Sequence, residues 1–272
     1  MIQDYLYDNK NQTVLQVLDE YIKELQNSKK FENLMHANKL ISYRGMIYDK
    51  SLQKDLRKFF NETYDLLDQK HPNLSFSIAG RRKSLLSAEK KIVQYSALNQ
   101  SLDLIRDFYA FRIILFGDNK QLDLVEHCYK VMSEIIEYAA TKGFTPCERL
   151  PLLGVSNLEE HKNNFFSAFK YKQYIKDYIC FQKENGYQSL HLVLVDTKGR
   201  YLEIQVRTFE MHTQIECSDA NHTLYKKNKY YIDVPIEREK ISLYGYSYVN
   251  GKVFDYAGIE YPIIIFQRQK NF

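Results

Sequence analysis

The sequence predicts an α/β protein in which a mixed β-sheet is flanked by helices. In the first third of the chain, apolar residues recur twice at the spacing of an amphipathic helix. After residue 73, short apolar runs of strand length alternate with stretches of helical periodicity, a pattern typical of strands and helices packed in layers. Residues 197–199 form a tight turn between two such strands and predict an antiparallel hairpin.

The individual elements follow in chain order. Two early helices are predicted from apolar positions that share one face: Leu15, Leu18, Ile22 and Leu25, and then Leu56, Phe59, Phe60, Tyr64 and Leu67. After them we predict a strand at 74–79, a turn at Gly80, a helix at 84–95, a buried strand at 110–116, a helix at 122–138, hairpin strands at 190–196 and 200–207, and a helix at 209–226.

Two segments lack a clear pattern. Residues 145–174 lose periodicity and contain two prolines, a glycine and several asparagines, so they predict a long loop or insertion with at most a short helix at 163–169. The apolar run at 263–266 predicts either a last strand or an edge that binds a partner.

Composition excludes several classes of protein. At 44% hydrophobic and 26% charged residues the chain is ordinary globular material, and no apolar run approaches the roughly 20 residues needed to span a bilayer. The N-terminus lacks the basic-then-apolar pattern of a secretory signal. The four cysteines are isolated from one another, which argues against a disulfide framework or a zinc ribbon. We therefore expect a cytoplasmic protein with no membrane contact and no structural metal.

The net charge of +4 is too small to indicate a nucleic-acid partner, but basic residues cluster in two places. The favoured interpretation is that they lie on solvated helix faces, and contact with an RNA backbone is the alternative. The clusters are Lys23, Lys29, Lys30, Lys39, Arg44, Lys50, Lys54, Arg57 and Lys58 in the first third, and Lys162, Lys170, Lys172, Lys176 and Lys183 later in the chain.

The second strand of the hairpin carries polar side chains on one face. Strict alternation places Glu203, Gln205 and Arg207 on one side and apolar residues on the other. A carboxylate, an amide and a guanidinium in a row suit a metal–nucleotide complex. A half-exposed strand of an antiparallel sheet would show the same alternation, and from this strand alone it is the favoured interpretation.

Asp107 is predicted to open the buried strand that contains Arg112. A carboxylate beside a core strand is costly unless it is paired or coordinates a cation, so Asp107 needs Arg106, Arg112 or a metal. Mg²⁺ is generally bound through one or two carboxylates with water and substrate phosphates. Asp107 and Glu203 on neighbouring strands would supply that pair.

Two further clusters predict ligand contacts. Arg81, Lys83 and their neighbours place several cations at a helix start, where they oppose the helix dipole and favour a bound anion such as a triphosphate. The P-loop pattern and the pattern G-x-G-x-x-G are both absent. Later, Asn185 and Gly186 predict a turn, and Tyr187 just past it could stack on a base while nearby lysines hold phosphates.

In their order, these motifs resemble the synthetase domain of RelA/SpoT homologues. The motifs are G-R-x-K-x-x-x-S-x-x-x-K, D-x-x-x-x-R, K-D-Y-I, N-G-Y-Q-S-L-H, E-I-Q-V-R-T and M-H-x-x-x-E, and they run from about Gly80 to Lys226. The resemblance implies a nucleotidyltransferase-like fold. It also implies Mg²⁺-dependent transfer of pyrophosphate from ATP to a 3′-hydroxyl, with release of AMP.

Residue by residue, the resemblance implies four groups of contacts. Arg81 and Arg112 would sandwich the adenine, and Lys83, Ser87 and Lys91 would hold the ATP phosphates. Asp107 and Glu203 would hold magnesium, with Glu203 also a candidate base for the attacking hydroxyl. Lys176, Lys183, Asn185, Tyr187 and His191 would form the acceptor loop, with Tyr187 stacking on the acceptor base, and Gln205 and Arg207 would complete the nucleotide-facing strand.

The sequence also departs from the family pattern. We find no H-D motif of the family's hydrolase domain and no long regulatory region, which predicts a small, synthesis-only enzyme. The expected organisation is a helical region at 1–72, the synthetase domain at 73–230 and a C-terminal extension at 231–272.

Three hypotheses remain for the function. The acceptor is either the 3′ CCA end of tRNA, as in the toxic subset of small synthetases held in check by an antitoxin, or GDP or GTP, which would give the alarmone (p)ppGpp. The tRNA acceptor is slightly favoured because the basic front and the long loop could track an RNA backbone. The third hypothesis is a catalytically silent module that binds RNA or a partner.

Overall fold

The structure is a computed structural model that describes residues 14–48, 50–83, 85–117, 123–150, 168–217, 240–241, 246–249, 252–255, 260–261 and 266–269. Within these ranges, no helix has both the length and the apolar character needed to cross a membrane. The chain divides into two compact units. The first comprises Met1–Leu56, Arg82–Phe108 and Lys227–Ile264, and the second comprises Arg57–Arg81, Tyr109–Lys226 and Ile265–Phe272.

Among the residues described at the front of the chain there are three helices, where we predicted two. Helices α1 (Val14–Asn27) and α3 (Lys50–Lys70) are the predicted ones, and α2 (Phe31–Tyr48) lies between them. Periodicity did not predict α2 because its apolar residues do not share one face. Leu40 and Tyr43 are buried, whereas Phe31 is exposed.

The first unit packs α1 and α2 with helix α4 (Leu85–Ala97), which is followed by a 3₁₀ turn at Leu102–Leu104. Leu18 and Ile22 of α1 are buried, as the predicted apolar stripe requires. The Tyr21 hydroxyl donates a hydrogen bond to Glu89 of α4 at 3.2 Å. This unit also contains a four-stranded antiparallel sheet of β7 (Lys240–Ile241), β8 (Tyr246–Val249), β9 (Lys252–Asp255) and β10 (Glu260–Tyr261). Its strand order is β10-β9-β8-β7.

A seven-stranded mixed sheet organises the second unit. Its strands are β1 (Ser75–Arg82), β2 (Tyr109–Phe116), β3 (Thr145–Pro146), β4 (Ile175–Asp177), β5 (Leu190–Val195), β6 (Tyr201–Thr208) and β11 (Phe266–Gln269). The order is β11-β1-β2-β6-β5-β3, and β4 also pairs with β5. Strands β2 and β6 are parallel, whereas β5 is antiparallel to β6 and to both β3 and β4. The predicted mixed sheet flanked by helices is therefore confirmed.

Helices cover the apolar side of this sheet. Helix α5 (Leu124–Thr141) buries a continuous stripe that includes Met132 and Ile135, and the Asp123 side chain caps its first turn by accepting from two backbone N–H groups. In α3, Phe59 stacks on Phe111 of β2 with ring centroids 6.1 Å apart. Because β2 is buried along nearly its whole length, it reads in the sequence as a continuous apolar run.

Some predicted boundaries differ from the structure. Gly80 was predicted to form a turn, but it lies inside β1 and pairs with Phe266 of β11. That partner is distant in sequence, so local turn signals could not reveal it. Phe266 begins a strand, which confirms the strand interpretation of that end of the apolar run, while residues 263–265 lie outside the described ranges. Helix α6 is described as Phe209–Cys217, and most of the predicted insertion, 151–167, is not described. The three predicted regions 1–72, 73–230 and 231–272 stay a prediction.

His36 of α2 is a histidine that burial keeps neutral at pH 7. Its ring lies edge-on to Tyr21 with centroids 5.8 Å apart, and its Nε2 atom is buried without a hydrogen-bond partner. Burial lowers the pKa of His36 from 6.5 to about 4. The unfolded chain therefore binds one more proton than the folded protein between these two pH values.

Replacing His36 with phenylalanine should reduce the acid sensitivity of the fold. The stability associated with neutral His36 is complete above pH 6.5 and is lost as the pH falls toward 4, which amounts to about 2 kcal/mol between pH 7 and pH 5. Between pH 7 and pH 5, the free energy of unfolding should therefore decrease by about 2 kcal/mol less in His36→Phe than in the wild type. Urea unfolding followed by tyrosine fluorescence at both pH values measures it, and equal losses in the two proteins would contradict the prediction.

Candidate functional site

Strand β6 presents the predicted polar face. Leu202, Ile204 and Val206 are buried on one side, and the alternation places Glu203 and Gln205 on the other, as predicted. Gln205 is itself only 5% exposed, so this face is covered at that position rather than open to solvent.

Strand pairing aligns four polar residues in one row across the sheet. Lys176 of β4 lies opposite His191 of β5, and His191 lies opposite Gln205 of β6. Gln205 in turn lies opposite Arg112 of β2. Because residues directly opposite each other in adjacent strands project to the same face, all four side chains share the face that carries Glu203. Sequence analysis assigned each of them to the site, and the sheet brings them together.

A chain of hydrogen bonds connects Arg112, Gln205 and His191 of this row through Glu203. Arg112 Nε donates to Gln205 Oε1 at 3.0 Å, and Gln205 Nε2 donates to Glu203 Oε2 at 2.7 Å. The other carboxylate oxygen, Glu203 Oε1, lies 3.0 Å from His191 Nδ1. His191 Nε2 lies 2.7 Å from the Tyr187 hydroxyl. Both oxygens of Glu203 are thus held by side-chain donors.

The protonation of His191 follows from its surroundings. Burial lowers the pKa of His191, and the opposing effect of Glu203 does not restore it. A neutral imidazole donates through one nitrogen and accepts through the other. Since Glu203 can only accept, Nδ1–H donates to Glu203 and Nε2 accepts from the hydroxyl of Tyr187.

The turn that precedes Tyr187 matches its prediction. Gly186 has a φ of +77°, a left-handed conformation that glycine adopts without strain. The Gly186 N–H donates to the Lys183 carbonyl at 2.8 Å, and the Asn185 side chain accepts from the Tyr187 N–H at 3.2 Å. Asn185 therefore shapes the loop through its own backbone contact, and its predicted contact with an acceptor stays a prediction.

Cations surround the Tyr187 ring. Lys183 Nζ lies 5.0 Å from the centre of the Tyr187 ring and 4.4 Å from that of Tyr178. Arg207 Cζ lies 6.0 Å from the Tyr187 ring. An aromatic ring beside two cations suits a ligand that combines a planar base with phosphates.

Arg207 and His212 form a buried pair, which sequence analysis did not identify. Both residues are 1% exposed, and Arg207 NH2 is hydrogen-bonded to His212 Nδ1. Burial, with the charges of Arg207 and Arg112, lowers the pKa of His212 to about 3, so the ring is neutral and accepts from the guanidinium. The predicted contact of Arg207 with a nucleotide stays a prediction.

Asp177 was also missed, although it lies in the K-D-Y-I motif. It is fully buried, and its Oδ2 accepts from the Tyr129 hydroxyl at 2.6 Å. Its Oδ1 accepts from the backbone N–H groups of Ile179 and Cys180 at 2.9 and 2.8 Å. Asp177 therefore fixes the turn that follows β4. An aspartate next to a turn could have predicted this role from the sequence. Such side chains commonly accept hydrogen bonds from backbone N–H groups two or three residues ahead.

A separate cluster in the first unit contains Lys83, Asp107 and Lys91. Both ammonium groups lie 2.6 Å from Asp107 Oδ2. The backbone holds Lys83 on both sides, since its N–H donates to the Phe108 carbonyl at 2.7 Å and its carbonyl accepts from the Tyr43 hydroxyl at 2.7 Å. We predicted Arg106, Arg112 or a metal as the partner of Asp107, but the structure pairs it with two lysines.

Asp107 is ionised in this cluster. Burial alone would raise the pKa of Asp107, but Lys83 and Lys91 together lower it well below its usual range. Its second oxygen, Oδ1, is buried without a hydrogen-bond partner. Asp107 also precedes β2, which begins at Tyr109, rather than opening that strand as predicted.

The remaining predicted contacts stay predictions. The side chains of Arg81 and Ser87 are outside the described part of the structure. Asp107 and Glu203 belong to different units, so their joint magnesium site is not tested. Among the described residues, no group of three or more histidine, cysteine, aspartate or glutamate side chains is placed to hold a metal. The orphaned Asp107 Oδ1 is nevertheless a hard oxygen donor of the kind that Mg²⁺ prefers.

Comparison with known proteins identifies similar chains. Residues 154–230 match the family described as a region found in RelA / SpoT proteins. Over 207 residues the chain is 30% identical to a guanosine-3′,5′-bis(diphosphate) 3′-pyrophosphohydrolase of Spiroplasma citri, covering 75% of this chain and 22% of that protein. Over 164 residues it is 32% identical to "Probable GTP diphosphokinase RSH2, chloroplastic" of Arabidopsis thaliana, covering 59% of this chain and 18% of that protein.

A solved structure is also similar. The small alarmone synthetase 1 from Bacillus subtilis bound to its product pppGpp aligns with a TM-score of 0.41 and 22% identity, covering 70% of this chain and 80% of that one. The chain spans about a fifth of the length of the two curated relatives described above. The matched segment, 154–230, contains β4, β5, β6 and α6, and with them most of the polar row. This part of the chain is therefore similar to the region found in RelA/SpoT proteins.

Proposed function

We propose that the protein transfers the β,γ-pyrophosphate of ATP to a 3′-hydroxyl group and releases AMP. The observation that carries the proposal is the polar row of Lys176, His191, Gln205 and Arg112, with Glu203 held beside it. Three of the four strands that build this row lie in the segment similar to RelA/SpoT proteins. One curated relative is named as a probable GTP diphosphokinase, which supports the same reaction class.

The proposed reaction needs little covalent chemistry from the protein. The 3′ oxygen forms a bond to the β-phosphorus of ATP, and the bond between that phosphorus and the α–β bridging oxygen breaks. AMP leaves with the bridging oxygen, and the proton of the hydroxyl passes to a base. Phosphoryl transfer of this kind depends chiefly on positioning and on neutralising charge.

Glu203 is the proposed base. A base must stay ionised and must point at the proton it accepts. His191 and Gln205 each donate to one oxygen of Glu203, so the carboxylate is oriented before any substrate binds. Each oxygen keeps further lone pairs, because a carboxylate oxygen can accept more than one hydrogen bond.

The loop around Tyr187 is proposed to bind the acceptor. Tyr187 would stack on the acceptor base, and Lys183, close to that ring, would neutralise its phosphates. Lys176 and His191 would line the same face. Asn185 would contribute by holding the turn that carries Tyr187.

The donor side is proposed from the sequence resemblance. Lys83, Ser87 and Lys91 are proposed to bind the ATP phosphates, Arg81 and Arg112 to bind the adenine, and Gln205 and Arg207 to complete the nucleotide-facing strand. Asp107 and Glu203 are proposed as the magnesium carboxylates, and the bound ion would neutralise charge on the transferred group. The described geometry that supports the donor side is the proximity of Lys83 and Lys91 to Asp107 and the orphaned oxygen of that carboxylate.

A guanine nucleotide is the acceptor we propose first. The relatives' names refer to guanosine bis(diphosphate) and to GTP, whereas the preference for tRNA came from basic residues that also suit solvated helix faces. The 3′ CCA end of tRNA is the second candidate, and an antitoxin partner belongs to that candidate alone. The basic residues of the helical front are the observation that favours it.

Replacing Glu203 with glutamine should lower the rate of pyrophosphate transfer about 10² to 10³-fold. Glutamine keeps the shape of the side chain but removes the charge and the base. The measurement is the appearance of AMP from ATP with GDP or GTP as acceptor. A catalytically silent binding module predicts no effect, so an unchanged rate or an inactive wild type would contradict the proposal.

Glu210→Gln is the matched control for this variant. Glu210 is exposed in the first turn of α6, close in sequence to Glu203, and the substitution makes the same chemical change. We expect its transfer rate to stay within about twofold of the wild type, because surface charges contribute little. Circular dichroism of both variants distinguishes loss of chemistry from loss of fold.

Labelled ATP should identify the acceptor. With ATP labelled in the γ-phosphate and an equal supply of GTP and total tRNA, we expect label in a free guanosine nucleotide and none in tRNA. Separation of nucleotides from acid-precipitated RNA measures both products in one reaction. Label in tRNA alone would instead establish the second candidate.

A further inference from the structure

We infer that a divalent cation and a polyphosphate bind to the cluster of Lys83, Asp107 and Lys91 by ion exchange, so that each one raises the affinity for the other. In this exchange the cation replaces the ammonium groups at Asp107, and the ammonium groups pass to the polyphosphate. The inference rests on the proposed function and deepens it, because it states how the same residues admit their substrate.

In the structure, the three side chains form one ion cluster. Lys83 and Lys91 both lie 2.6 Å from Asp107 Oδ2, and the three side chains are 18%, 28% and 18% exposed in the order Lys83, Lys91, Asp107. The cluster carries a net charge of +1. At this low exposure the attraction is much stronger than for a surface ion pair, since water screens it less.

A polyphosphate alone binds this cluster at a disadvantage. To reach the anion, Lys83 and Lys91 must leave Asp107, and the carboxylate then remains with no counter-charge. Its Oδ1 atom is already buried without a hydrogen-bond partner, so the carboxylate has no compensating contact on that side. A buried charge that loses its partner is strongly unfavourable.

A divalent cation alone meets the opposite difficulty. It can reach the Asp107 carboxylate, but the two ammonium groups at 2.6 Å repel it. No group of three or more histidine, cysteine, aspartate or glutamate side chains surrounds it in the described ranges, so the protein supplies few of its ligands there. Mg²⁺ with so few protein ligands depends on substrate phosphates to complete its coordination.

The two ligands together remove both difficulties. The cation takes the place of the ammonium groups at Asp107, and the lysines use their flexible stems to reach the phosphates that the cation also contacts. Every charge then has a partner. Such coupling is reciprocal, because the change in affinity for one ligand equals the change for the other.

Manganese binding without nucleotide tests the first half of the exchange. Mn²⁺ is titrated into the full-length protein and its free concentration is followed by electron paramagnetic resonance. Lys91→Met removes one competing ammonium and keeps the alkyl stem, so we expect it to bind Mn²⁺ at least fivefold more tightly than the wild type. Lys90→Met is the matched control, since Lys90 is exposed one position earlier in α4, and its Mn²⁺ affinity should equal that of the wild type.

Tripolyphosphate binding in EDTA tests the second half. Asp107→Asn frees both lysines from their anionic partner, so we expect calorimetry to show at least fivefold tighter binding of tripolyphosphate than in the wild type. Circular dichroism establishes that the variant is folded. If Asp107→Asn does not fold, the Mn²⁺ affinity of Lys91→Met decides alone.

Unchanged or weaker Mn²⁺ binding by Lys91→Met would overturn the inference, as would unchanged or weaker tripolyphosphate binding by a folded Asp107→Asn. Neither titration contains an acceptor or requires turnover. If both variants bind more tightly as expected but the wild type transfers no pyrophosphate, only the proposed function is refuted. If the wild type transfers pyrophosphate but the variants bind Mn²⁺ and tripolyphosphate no more tightly than it does, only the exchange is refuted.

Discussion

The parallel pairing of β2 with β6 is the constraint on which the candidate site depends. It places Arg112 opposite Gln205, and the antiparallel pairing of β5 places His191 opposite the same residue. Since side chains alternate along a strand, a shift of one residue in either pairing would send one member of the row to the opposite face. The apolar residues between these positions, such as Ile204, are buried and hold that register in place.

Hydrogen bonds fix the orientation of the polar side chains on this sheet. The hydrogen-bonded chain runs from Arg112 through Gln205, Glu203 and His191 to Tyr187. A partly buried network of this kind is stable only when its members find partners, and a low local dielectric strengthens each bond. The Glu203 carboxylate therefore has a fixed direction, as its proposed role as a base requires.

The buried carboxylate of the first unit has different partners, because Asp107 is held by charged lysines rather than by neutral donors. Lys83 and Lys91 stabilise its ionised form, and they are also the cations expected to meet phosphate. In the proposed exchange, the same two lysines would leave Asp107 and bind phosphate. Glu203, by contrast, keeps a fixed pair of neutral donors.

The sequence by itself determined the elements whose signals are local. Periodicity located α1, α3 and β2, alternation assigned the two faces of β6, and the Asn185–Gly186 pair located the turn before Tyr187. Tertiary structure decided what depends on partners far apart in the chain. Gly80 became part of a strand by pairing with Phe266, α2 buries apolar residues without a single apolar face, and the lysine pair around Asp107, like the Arg207–His212 contact, forms only when separate elements pack. Local patterns report which backbone conformation a segment prefers, whereas a charged or buried polar group takes the partner that the fold places within reach.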